Sequence, residues 1–385
     1  MNNNPTNNPP VYHKATLVLL FVGTLVLFLI YGKPLLVPLL LAAFIAMLLM
    51  PLSNRMQRWR FPKILAVFIS ILVLTVVLGG VILFFIQQLS HFGQDVAIFE
   101  KRIEEIFERF NETIEKLSGV EPEHQLDNVK NATIQFLRQN VSTFGRQLAG
   151  AASGLTYFVL MPVFIFLFML YSDFLENFMI KAVGGDKNKL KGQKMSALLK
   201  RVQKVSSGYI GGMLIVIVIL AVCNSVALLA LDLENAILFA VFAAILNIIP
   251  FLGPLLGSLL PILYAFFTKD PLWYPIAIFA YFYIIQLIES NFLTPKIVGR
   301  QVSLNPMVTI IALLAGNLVW GVSGMILFIP IMAILKEIFE EHEELRAFAF
   351  LLSDPSRKPN EVKNVNELKD QIQEKITKLK DKLEG

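Results

Sequence analysis

Asn247-Ile-Ile-Pro-Phe-Leu-Gly-Pro-Leu-Leu-Gly-Ser-Leu-Leu-Pro261 lies inside an apolar run, 236–267, that contains no charged residue. Pro250, Gly253, Pro254, Gly257 and Pro261 interrupt it. A second uncharged run, 304–335, is interrupted by Gly316, Gly321, Gly324 and Pro330. Each run has 32 residues, more than the ~20 that cross a hydrocarbon core ~30 Å thick and too few for two full crossings plus a turn. Two arms of roughly 14 residues would each reach only about 21 Å. The expectation is therefore a pair of helical hairpins, each dipping into the membrane and returning on the same side. The alternative is a pair of kinked but complete spans in each run. Backbone broken at membrane depth leaves N–H and C=O groups that lipid cannot satisfy, so they must face protein or a wet cavity. Matching Gly/Pro-interrupted segments in two halves of a chain point to an inverted repeat with a binding site at its interface.

The rest of the chain agrees with a membrane setting. Of 385 residues, 55% are hydrophobic and 16% charged, with a mean hydropathy of +0.63. Soluble domains hold about 25% charged residues, so this composition excludes an ordinary soluble enzyme, and the 31 Phe exclude disorder. A single cysteine, Cys223, excludes a disulfide scaffold and a Cys-based metal cluster, and the four histidines share no ligand spacing. No metal or other cofactor is expected, and no nucleic-acid partner. Further apolar runs cover 15–31, 35–50, 64–86, 154–171, 209–231 and 272–288. The fold class expected is an all-α polytopic membrane protein. It would have about six full transmembrane helices plus two re-entrant helical hairpins, counted as about eight spans, with a small external helical hairpin.

Charge orients these spans. Residues 51–63 hold 4 basic and no acidic residues, and 172–207 hold 8 basic and 3 acidic, so both belong in the cytoplasm. Residues 87–150 hold 7 basic and 10 acidic residues. Their apolar positions Val96, Phe99, Ile103, Ile106, Phe110, Ile114 and Leu117 step by threes and fours, an amphipathic helix that would face water outside. The first three spans place 51–63 on the side of the N-terminus and 87–150 on the opposite side, and the fourth returns the chain to the side of 51–63. The expected organisation is a disordered cytoplasmic tail at 1–14, three transmembrane helices at 15–86 and the extracytoplasmic helical hairpin at 87–150. A fourth transmembrane helix with a basic cytoplasmic segment follows at 151–207. A core with the two broken hairpins occupies 208–335, and a charged, partly amphipathic cytoplasmic tail 336–385. Gly208, Gly211 and Gly212 open the fifth span; with no strand before them they read as helix-packing positions, not a nucleotide loop. The expected place is the bacterial inner membrane, with both termini cytoplasmic.

Polar side chains in the core are few. Asn247 precedes Pro250, Asn317 follows Gly316, and Gln286, Glu289, Ser290 and Asn291 close the span between the broken runs. Glu289 is the one carboxylate set directly against a deep apolar span there. Buried charge in a bilayer usually lines a pathway or relays protons; the alternative is an interfacial Glu289 paired with Lys296 or Arg300.

The stretch Asn247–Pro261, with its Pro-x-x-Gly-Pro pattern, resembles a signature of the AI-2E family of bacterial transporters. Gln286-x-x-Glu289-x-Asn291-x-x-x-Pro295-Lys296-x-x-Gly299 is similar to that family's next motif. Leu304-x-Pro306, the Gly316–Gly324 cluster and Ile329-Pro330 are similar to its last. The resemblance covers about residues 15–340 and departs from the family's plan at the C-terminus. It implies a secondary transporter, not an enzyme, in a family named for export of autoinducer-2, a small polar signal. Other members resemble sodium(lithium)/proton antiporters. It also implies a homo-oligomer. The expected substrate- or ion-binding positions are Asn247, Pro250, Gly253, Pro254, Gln286, Glu289, Asn291, Gly316 and Asn317. The expected partners are a small polar solute or a cation and proton, together with the lipid bilayer. No G-x-x-x-x-G-K-[ST] loop is present, so an ion gradient or the solute's own gradient must supply the energy.

Overall fold

The computed structural model describes residues 11–92, 101, 104–105, 108, 135, 155–184, 188–249, 252–298 and 304–355. Most of the tail expected at 1–14, most of the helical hairpin expected at 87–150, and the part of the expected 336–385 tail beyond 355 lie outside the described residues. The described chain is helical, with one isolated bridge between Leu304 and Ser353. Five helices are long and apolar enough to cross a membrane, or six if one bent pair counts as a span.

Helix α1 (Val11–Tyr31) turns at Gly32 into α2 (Lys33–Arg58), and α3 (Lys63–Phe92) follows. α2 runs past Pro51 and takes Arg55 and Arg58 into its last turn, where cations complement the helix dipole. The basic loop expected at 51–63 is thus mostly helix. α4 (Leu155–Leu170) and α5 (Ser172–Ala182) are bent by 62° at their junction. α6 (Lys189–Ala230) is a single helix of 42 residues, about 63 Å long at 1.5 Å per residue. Sequence reading divides it into a basic segment and a span, because its N-terminal half lacks a continuous apolar run. Gly211 and Gly212 do not break it; a Cβ on Gly212 would stand 3.1 Å from the carbonyl oxygen of Ile297.

Charged contacts define two ends. At one, Lys63 Nζ meets Asp173 at 2.7 Å, Ser196 donates to Glu176 at 2.8 Å, and Arg201 pairs with Glu341 at 2.5 Å. At the other, beyond the C-terminus of α6, Lys269 Nζ is 3.0 Å from Asp232 and Tyr264 Oη donates to Glu234 at 3.2 Å. The two basic segments therefore share one end. Such exposed pairs contribute about 1 kcal/mol or less each, so they report position more than stability.

The two broken runs form hairpins based at opposite ends. α7 (Ala236–Leu246) and α8 (Leu252–Thr268) have their base at Asp232 and Lys269. α9 (Trp273–Ile288) crosses back. α10 (Thr294–Ile297) follows a π-helical turn, Glu289–Leu293. α11 (Pro306–Trp320) and α12 (Val322–Glu341) have their base where Arg201 meets Glu341. The tips interlock: Ile249 of the first hairpin packs on Leu313 and Met325 of the second. Trp320, at the second tip, donates Nε1–H to the carbonyl of Leu29 at 2.8 Å.

The arms are unequal: 11 and 17 residues in the first hairpin, 15 and 20 in the second. α12 extends through Lys336–Glu341 because Arg201 and Lys336 pair with its acidic residues. It is about 30 Å long, enough to cross. Residues 336–352 are accordingly part of the folded body. α13 (Arg346–Leu352) folds back, and the Leu352 carbonyl accepts from Asn305 N at 2.9 Å.

Glycine lets the arms touch backbone to backbone. A Cβ on Gly257 would lie 2.8 Å from Ala243 Cα, and one on Gly253 would strike the Leu246 carbonyl. Gly316 and Gly324 face each other so closely that a Cβ on either would overlap the other's carbonyl. Gly321, at the second turn, has φ +65° and ψ −142°, a conformation that strains any L side chain. By contrast, the membrane-facing surface is open: α3 has 6% of its most apolar 18-residue window buried. Gly324→Leu is expected to lose about 1–3 kcal/mol of stability through overpacking. Gly79→Ala, with nothing within 4 Å of its new Cβ, should hold or raise stability. Thermal melting of the detergent-purified variants checks both.

Candidate functional site

Pro295 shapes the site. It has no N–H to give to Asn291, four residues earlier, and its ring crowds that carbonyl. The helix answers with the π turn Glu289–Leu293, and such single turns recur at functional positions. In a regular α-helix, residues five apart point about 140° away from each other around the axis. The wider turn brings Thr294 under Glu289, and Thr294 Oγ1 donates to Glu289 Oε1. One turn earlier, Gln286 Nε2 donates to Glu289 Oε2 at 3.1 Å. Glu289 is 8% exposed, so its burial rests on these two neutral donors. Among the described residues it forms no ion pair. The Lys296 ammonium instead lies 5.9 Å from the Phe292 ring centre, and Arg300 is outside the described residues.

Two cavities open beside this turn. The first, about 330 Å³, is walled by Leu220, Asn224, Ala243, Leu255, Ser258, Phe279, Phe282 and Tyr283, and no charged side chain lines it. Asn224, 3% exposed, is held by Tyr281, whose hydroxyl donates to Asn224 Oδ1 at 2.9 Å. The second cavity, about 400 Å³, is lined by Tyr209, Met213, Val216, Glu289, Ser290, Thr294, Val298, Leu304 and Thr309. Asn247, Pro254 and Gln286 line both. Along α6 the first cavity touches residues 220–224 and the second 209–217, so they are displaced toward opposite ends of the helix bundle. The shared trio is the wall between them. It is built from the C-cap of α7, the first turn of α8 and the last turn of α9.

The positions expected from sequence thus separate into groups. Asn247, Pro254, Gln286 and Glu289 converge at the cavities. Gly253 and Gly316 are buried in the helix–helix contacts, where they allow close approach. Asn291 is exposed and donates Nδ2–H to the Leu287 carbonyl at 2.8 Å. Asn317 is exposed at the second tip, where its carbonyl accepts from Gly321 N at 2.9 Å. Pro250 lies outside the described residues. Sequence reading missed Asn224, Tyr281, Thr294 and Thr309. Asn224 carried a signal, as the one amide inside the 209–231 run, and Thr294 stood directly before the helix-distorting Pro295. Thr309 carried none.

Together, apolar spans, interlocked broken hairpins and cavities meeting at a polar wall define a polytopic helical membrane protein built as a transporter. The match to known proteins gives the family: the model described as AI-2E family transporter covers residues 16–344, and the chain belongs to that family. It is 30% identical over 320 residues to the putative transport protein YrrI of Bacillus subtilis, covering 79% of this chain and 85% of that one. It is 27% identical over 351 residues to the AI-2 transport protein TqsA of Escherichia coli K12, covering 88% and 95%.

Thr294→Val would leave one oxygen of the buried Glu289 without a donor. The expected cost is about 1–3 kcal/mol, measured as a lower melting temperature in detergent, with Thr294→Ser restoring most of it.

Proposed function

We propose that the protein is a secondary carrier that exports a small, polar, uncharged solute such as autoinducer-2 across the bacterial inner membrane. The observation that carries this reading is the pair of cavities joined at Asn247, Pro254 and Gln286. A wall with a cavity on each side suits a carrier that exposes one site to the two faces in turn. The first cavity offers amide and hydroxyl groups from Asn224, Asn247, Ser258 and Gln286 against Phe279 and Phe282. That is chemistry for hydroxyl and carbonyl groups on a compact solute, and its volume is at the lower end of small-molecule sites. The basic end around Arg55, Arg58, Lys63 and Arg201 is cytoplasmic by the positive-inside rule. The second cavity then faces the cytoplasm and the first the exterior. The two hairpins are re-entrant in this reading, the second almost crossing, and TqsA's name as an AI-2 transport protein supports the solute class.

A second reading, sodium(lithium)/proton exchange, is favoured by the burial of Glu289 among the hydroxyls of Ser290, Thr294 and Thr309. One preparation of proteoliposomes tests both. Labelled autoinducer-2 flux should saturate with concentration, and Asn247→Leu or Gln286→Leu should lower it about tenfold, the loss of one hydrogen bond. Non-saturating flux means a pore. With a trapped pH dye, Na⁺- or Li⁺-driven dissipation of a proton gradient that Glu289→Gln abolishes would favour exchange. A silent dye removes that second reading.

A further inference from the structure

We propose that Gln286 is a positioning residue that couples protonation of Glu289 to solute binding by turning its amide over; this rests on the carrier reading above. Gln286 lines both cavities, while Glu289 lines the cytoplasm-facing one. An ionised carboxylate accepts hydrogen bonds and cannot give them. In that state Gln286 must present its N–H, as it does at 3.1 Å, while Thr294 covers the other oxygen. The amide oxygen of Gln286 then points away from Glu289, and among the described residues nothing donates to it. A protonated Glu289 has an O–H to give. Its natural acceptor is that same amide oxygen, and reaching it requires the amide to rotate by about half a turn, a motion its broad terminal torsion permits. The wall of the solute cavity changes with it. With Glu289 ionised, Gln286 offers the solute an acceptor; with Glu289 protonated, it offers a donor. One proton moves between water and a carboxylate oxygen, and no other bond is made or broken.

Among the described residues no cationic side chain neutralises Glu289 in place. From α6 the titratable group on the cavity wall is Tyr209, with Lys204 exposed and Arg201 engaged by Glu337 and Glu341. α10 brings Lys296, which sits over Phe292. α7, α8, α9 and α11 carry no charged residue.

Infrared difference spectra of the full chain in liposomes, between acidic and alkaline buffer, test the coupling without any solute. The expected result is a carboxylic-acid band that Glu289→Gln removes. It should titrate together with a glutamine amide band, identified by isotope-labelled glutamine, that Gln286→Met removes and Asn247→Leu retains. Gln286→Met takes away a donor that serves the ionised form alone, so the midpoint of the band should differ from that of the native chain. Thr294→Val should also move the midpoint while keeping the glutamine band, which serves if Gln286→Met does not fold. A Glu289 band that titrates with no glutamine band, or a midpoint unmoved in both variants, overturns the proposal. So does an amide band that follows added Na⁺ at constant pH. Absence of autoinducer-2 flux with the coupled titration intact would sink the carrier reading alone; flux without the titration would sink the coupling alone.

Discussion

A backbone that reverses direction inside hydrocarbon persists only where protein covers its polar groups. In the re-entrant reading of this chain, that cover comes from glycine-mediated contact between helical arms. Gly253 and Gly257 seat α8 against Leu246 and Ala243, and Gly316 and Gly324 seat α11 against α12. At such distances a single methyl group on any of these four would collide with main chain, so the arms cannot separate without loosening both tips. The position of Asn247 and Pro254 beside Gln286, between the two cavities, follows from that contact. The same constraint explains why the hairpins are based at opposite ends: two tips that each need cover can provide it for one another, as Ile249, Leu313 and Met325 do.

The polar interior is sparing and nearly uncharged. Glu289 is held by an amide and a hydroxyl in place of a cation. Asn224 is held by the Tyr281 phenol. A buried ion pair would fix its members in one arrangement, because parting them leaves an uncompensated charge. Neutral partners such as Gln286 and Thr294 can exchange donor and acceptor roles at small cost. A carrier that must pass through several states benefits from that freedom. Charged pairs are left to the two water-facing ends, where Lys63, Asp173, Arg201 and Glu341 hold one and Asp232 and Lys269 the other.

Much of this architecture was legible in the residues, and what was not has physical reasons. Pro and Gly inside uncharged runs marked both hairpins, since little else explains them at membrane depth. Their arm lengths were hidden, because α12 runs on into Lys336–Glu341 only through contacts with Arg201, 140 residues away. The sequence divides α6 into two pieces because a helix whose first half is basic gives no apolar periodicity to join to its second. Within the site, Asn247, Pro254, Gln286 and Glu289 stood out as polar or helix-breaking residues in apolar surroundings. Gly253 and Gly316 stood out equally, although their work is packing; a glycine's neighbour cannot be seen along the chain. Tyr281 and Asn224 are 57 residues apart, and their contact exists only once α6 and α9 pack. The π turn had its cause in plain view at Pro295, but the pairing of Thr294 with Glu289 depends on geometry that regular helical spacing would deny.

In the proposed orientation two cavities, divided by Asn247, Pro254 and Gln286, face opposite sides of the membrane. Ser258 lines one and Thr309 the other. The single native thiol, Cys223, can be replaced by Ala to give a silent background. Ser258→Cys and Thr309→Cys can then be probed in sealed vesicles of each orientation with a membrane-impermeant maleimide. The proposed orientation predicts that Ser258→Cys is labelled from outside and Thr309→Cys from the cytoplasmic side, each protected from the other face. Labelling of both from one side would contradict the account.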